Sequence, residues 1–91
     1  MFNTIGIITK PKDFTSEETA RELSVFLHDQ GVLLVEGSDQ ISKNADLIIV
    51  VGGDGSILNT ARTYVDSNIP ILGVNLGRLG FLADVSVENM I

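Results

Sequence analysis

The chain has 91 residues, 44% of them hydrophobic, and a net charge of −6. That length gives one small domain with a modest core, and the acidic balance excludes a nucleic-acid or anionic-membrane surface, either of which needs clustered Lys and Arg. There is no cysteine, so disulfides and thiolate metal sites are excluded as well.

Thr4-Ile5-Gly6-Ile7-Ile8-Thr9 reads as a first strand, ended by the Lys10 to Phe14 stretch with Pro11. Thr15 and Glu18 have the spacing of a capping box, which predicts a helix with Thr15 as N-cap. Its buried face would carry Ala20, Leu23, Phe26 and Leu27, and Gly31 fits the stop. Val32 to Val35 is a second short strand, and the polar stretch Glu36 to Ala45 is expected to be loop with at most one helical turn.

Asp46 to Val51 forms the third strand, and its apolar run Leu47-Ile48-Ile49-Val50-Val51 marks it as buried on both faces. Gly52-Gly53-Asp54-Gly55-Ser56 follows directly. Three glycines in four positions allow a sharp turn and a close approach of the backbone to a ligand, with Gly55 expected at positive φ. Ser56 to Asp66 has helical periodicity, with Ile57, Leu58, Ala61, Tyr64 and Val65 forming the inward stripe. The glycine-loop amides would therefore sit at a helix N-terminus, where phosphate is favoured. A carboxylate there repels a simple anion, so Asp54 makes sense if it holds Mg²⁺ or orients a hydroxyl that attacks phosphorus.

Ile71 to Val74 is a fourth strand, followed by a second glycine loop, Asn75 to Phe81. Strands alternating with helices predict a Rossmann-like parallel α/β sheet. Both glycine loops follow strand C-termini, the edge where open α/β sheets bind ligands. Ser86 to Ile91 reads as an N-cap and one helical turn, as if residues 1–91 were the N-terminal part of a longer chain.

No Gly-Lys-Ser/Thr follows the first glycine loop, so it is not a Walker A motif, and Leu58 stands where a dinucleotide fingerprint has its third glycine. Taken alone, the loop is equally a tight strand-to-helix turn. Together with Pro70-Ile71-Leu72-Gly73-Val74-Asn75-Leu76-Gly77-Arg78-Leu79-Gly80-Phe81-Leu82 it resembles the NAD kinase family, in which a GGDG loop is followed by an Asn-x-Gly-x-Leu-Gly-Phe segment. GGDG is shared with 6-phosphofructokinases and lipid kinases, but the second segment is not theirs.

The resemblance implies an N-terminal nucleotide-binding domain over residues 1–91, with the family's C-terminal β-rich domain and Asn-Glu motif beyond it. It implies phosphorylation of NAD⁺ on the adenosine ribose 2′-hydroxyl, with ATP or another phosphate donor and Mg²⁺ or another divalent ion. Asp54 matches the catalytic aspartate, Gly52 and Gly53 the turn near the phosphates, and Gly55 and Leu58 positions lining the NAD site. Arg78 matches a cation near the NAD phosphates and Phe81 the aromatic beside the adenine. On residue type alone, Arg78 is also a solvated loop cation and Phe81 a core plug. Asn59 departs from the family, some of whose members place Arg there. Nucleotides are the expected partners of a cytoplasmic enzyme that is a homo-oligomer at full length. The alternatives are another GGDG kinase or a non-catalytic nucleotide-binding module.

Overall fold

The computed structural model describes residues 2–76 and 84–85. The elements are β1 (Thr4–Thr9), α1 (Phe14–Asp29), β2 (Leu33–Val35), α2 (Ser38–Asn44), β3 (Leu47–Gly52), α3 (Asp54–Thr63), a single 3₁₀ turn (Val65–Ser67), β4 (Ile71–Asn75) and β5 (Asp84–Val85). The sheet order is β2-β1-β3-β4-β5. β1 to β4 are all parallel, as the strand–helix alternation predicts. The two residues of β5 add an antiparallel edge, pairing Leu72 with Val85 and Gly73 with Asp84.

β3 occupies the centre because its residues are apolar on both faces, and Ile48, Val50 and Val51 are fully buried. Alternation along the strand sends Ile48 and Val50 to one side and Ile49 and Val51 to the other. Ile48 and Val50 join Ile41, Tyr64 and Ile71 beneath α2 and α3. Ile49 and Val51 join Ile5 and Ala20 beneath α1, with Leu23 and Leu27 packed alongside. The result is a sheet with a helical layer on each face.

Several local expectations are corrected. The N-cap of α1 is Asp13, not Thr15: its carboxylate accepts the Ser16 amide at 3.0 Å and also the Ser16 hydroxyl. Aspartate outranks threonine as a cap, and an earlier start lets the fully buried Ser16 satisfy its polar atoms. Phe26 is exposed rather than on the inward face, which is carried by Ala20, Leu23 and Leu27. The Glu36 to Ala45 stretch holds a seven-residue helix, α2, anchored by a single buried side chain, Ile41. That side chain needs Gly6 beneath it: a Cβ at Gly6 would lie 2.7 Å from Ile41 Cγ1. The inward stripe of the third helix reduces to Ile57, Ala61 and Tyr64, with Leu58 and Val65 exposed. The chain-terminal helical turn expected at Ser86 to Ile91 lies outside the described residues. No helix among the described residues is long and apolar enough to cross a membrane.

Candidate functional site

β3 delivers the first glycine loop to the C-terminal edge of the sheet, and its neighbours hold it there. The Lys10 amide bonds the Val51 carbonyl at 3.2 Å on one side, and the Leu76 amide bonds the Gly52 carbonyl at 2.8 Å on the other. α3 then starts two residues earlier than its periodicity suggests, with Gly53 as N-cap and Asp54 and Gly55 inside the first turn. A glycine cap supplies no side chain to the first-turn amides, so an incoming anion meets backbone donors and the positive end of the helix dipole.

The three glycines serve different ends. At Gly52 the protein itself demands the small residue, because a Cβ would lie 2.9 Å from Cβ and Oγ of Ser56. At Gly53 and Gly55 a Cβ would meet no protein atom within 4 Å. Nor is either at positive φ: the described glycines with positive φ are Gly31 and Gly37. The expectation of left-handed backbone at Gly55 is therefore wrong. The space above both residues is open, as a loop that admits a ligand against its backbone requires.

Asp54 is exposed, and its orientation is fixed from β4. The register pairs Gly52 with Asn75 at the last position of the β3–β4 ladder, which sets the Asn75 side chain beside the loop. Asn75 is 5% exposed and its Nδ2 donates to Asp54 Oδ1. A buried amide that bonds an exposed carboxylate holds it in one orientation. This role was not legible in the sequence, where Asn75 figured only as one letter of the second motif. The available signal was a polar residue closing the apolar run of β4.

Leu58 is four residues after Asp54, on the same face of α3, and 52% exposed. It offers an apolar wall beside the carboxylate. The structure thus brings together Gly52, Gly53, Asp54, Gly55 and Leu58, while Arg78 and Phe81 lie outside the described residues. Among the described residues, no group of three or more His, Cys, Asp or Glu side chains could hold a metal ion.

A cavity of about 620 Å³ lies elsewhere. β2 ends opposite Gly6, so Ile7 to Thr9 of β1 continue without a strand on that side. The cavity fills this gap, bounded by Glu17 and Arg21 of α1, Glu36, and Asn59 and Thr63 of α3, and no residue of the glycine loop lines it. The oriented carboxylate and the helix N-terminus converge at the loop instead.

Residues 33–91 match the family model described as the ATP-NAD kinase N-terminal domain. The chain is 40% identical to an NAD kinase of Nitrosococcus oceani over 96% of its length, 43% identical to one of Hydrogenovibrio crunogenus over 99%, and 38% identical to one of Teredinibacter turnerae over 98%. These alignments cover 35%, 37% and 36% of the respective relatives, so the chain spans about a third of the length of the curated relatives it matches.

Proposed function

Since this chain belongs to the NAD kinase family, we propose that the protein it forms transfers a phosphoryl group from ATP, or another phosphate donor, to the adenosine ribose 2′-hydroxyl of NAD⁺, giving NADP⁺. The observation that carries this reading is the convergence of an oriented carboxylate, Asp54 held by Asn75, with two glycines whose outer face is empty. Phosphoryl transfer has a loose transition state and relies on positioning and charge stabilisation rather than on covalent help.

In this reading Asp54 accepts a hydrogen bond from the ribose hydroxyl, aims it at phosphorus and takes its proton late in the transfer. Asn75 keeps the carboxylate from turning away. The first-turn amides of α3 face the developing charge on the phosphoryl oxygens, and Leu58 packs against the nucleoside. Arg78 and Phe81 are assigned to the NAD phosphates and the adenine. A divalent ion bound with the donor would neutralise part of the polyphosphate charge. A cytoplasmic location and a homo-oligomeric full-length enzyme belong to the same proposal.

The test offers the purified native protein γ-labelled ATP with NAD⁺, fructose 6-phosphate or diacylglycerol. Label in the 2′-phosphate of NADP⁺ alone supports the assignment. Label in the sugar phosphate or the lipid would move the protein to another branch of the GGDG kinases, and nucleotide binding with no transfer would favour a non-catalytic module.

A further inference from the structure

The sheet order places β1 and β3 side by side while their outgoing helices pack on opposite faces, α1 on one and α3 on the other. The crevice between two such strand ends is where open α/β sheets take their ligands. One wall of this crevice is the glycine loop after β3, and the other is the Lys10-Pro11-Lys12 turn after β1.

Lys10 is fixed against the glycine loop at its backbone and at the root of its side chain. Its amide bonds the Val51 carbonyl at 3.2 Å, extending the β1–β3 ladder by one step. Its Cβ lies 3.4 Å from where a Cβ at Gly52 would be. Of the remaining described cations, Lys12 shares the turn but lies two residues further from the β1–β3 ladder, at positive φ; Arg21 is in the second turn of α1, Lys43 ends α2, and Arg62 ends α3 at the far end from Asp54. Asp13, the carboxylate nearest in sequence, is engaged chiefly by Ser16, with Lys10 adding a smaller charge interaction. An acidic chain with net charge −6 thus sets an exposed lysine on the rim of an anion cradle.

We propose that Lys10 forms the phosphate-donor subsite, contacting the polyphosphate chain of a nucleoside triphosphate while Asp54 and Leu58 serve the acceptor. This rests on reading the glycine loop as a phosphoryl-transfer site. A lysine is suited to the task as a compact point charge on a flexible stem that can follow the phosphate from donor to product.

The experiment measures binding of Mg-ATP and of inorganic tripolyphosphate to the full chain by calorimetry at two salt concentrations, with NADP⁺ formation followed in parallel. Lys10→Ala should weaken both ligands about tenfold or more and flatten their salt dependence. Lys10→Arg should recover most of the affinity, and Lys43→Ala should stay within twofold of the unsubstituted chain. NAD⁺ affinity should also stay within twofold in Lys10→Ala. Failure of the unsubstituted chain to bind tripolyphosphate, or a Lys10→Ala effect below twofold, overturns the proposal. Lysine-dependent triphosphate binding without NAD⁺ phosphorylation would uphold the donor subsite and refute the acceptor reading instead.

Discussion

Asn75, the last residue of β4, donates its side-chain amide to the Asp54 carboxylate at the start of α3, across 21 positions of sequence. The bond exists because the parallel register of β3 and β4 ends on the pair Gly52 and Asn75. It links the two glycine-containing motifs of the chain physically: the second supplies the group that orients the carboxylate of the first.

Asn75→Ala should therefore reduce turnover of the native enzyme without abolishing substrate binding. A hydrogen bond to a charged group contributes about 1.5–3 kcal/mol, so kcat should fall roughly 10- to 150-fold while KM for NAD⁺ moves little. Steady-state kinetics check this. A rise in KM at constant kcat would make Asn75 a binding residue rather than a positioning one.

The glycines should separate under substitution. Gly55→Ala introduces a methyl group into open space within a helix, where alanine is preferred by about 1 kcal/mol. The variant should be slightly more stable and bind nucleotide more weakly. Gly52→Ala forces a Cβ to 2.9 Å from Ser56 and should cost about 1–3 kcal/mol of stability through overpacking. Thermal melts paired with nucleotide titrations distinguish them. A stable Gly55→Ala variant with unchanged affinity would show that the loop does not cradle the ligand.

Most of the sheet was legible because β3 is a continuous apolar run and β1 and β4 are short, largely apolar stretches with β-branched residues and a glycine or proline close by. What escaped depended on contacts distant in sequence. α2 reads as polar loop because only Ile41 is buried, and the gap it fills is created by Gly6 on another strand. The start of α1 reads as Thr15 from its capping-box spacing, whereas the structure caps the helix with Asp13, because Ser16 becomes buried beneath the helix and bonds that carboxylate. In the site, Asp54 and the glycines were legible as a local pattern. Asn75 was not, since its role is set by strand register rather than by neighbours in the chain.

Acid should loosen α1 through its cap. The hydrogen bonds from the Ser16 hydroxyl and amide, opposed by slight desolvation and helped by Lys10, hold the Asp13 carboxyl below its usual value of 3.8. A carboxyl with a depressed folded-state pKa contributes stability that is full above the unfolded value and is lost as pH falls through the folded one. Asp13→Ala should lower the melting temperature at neutral pH, and its deficit relative to wild type should shrink below about pH 3.8. Asp13→Asn should keep much of the cap and lose the pH dependence. Melting curves from pH 7 to pH 2 would show it, and a deficit that persists unchanged to pH 2 would assign the effect to packing.

If Asp54 takes the proton of the acceptor hydroxyl within the glycine loop, Asp54→Asn in the native protein should remove that step. The amide keeps the size and hydrogen-bonding reach of the side chain but cannot take the proton. Measured as NADP⁺ formed from NAD⁺ and ATP, turnover should fall by about 10²-fold or more, with NAD⁺ affinity within a few-fold of wild type. Turnover of the variant within a few-fold of wild type would contradict that role for Asp54.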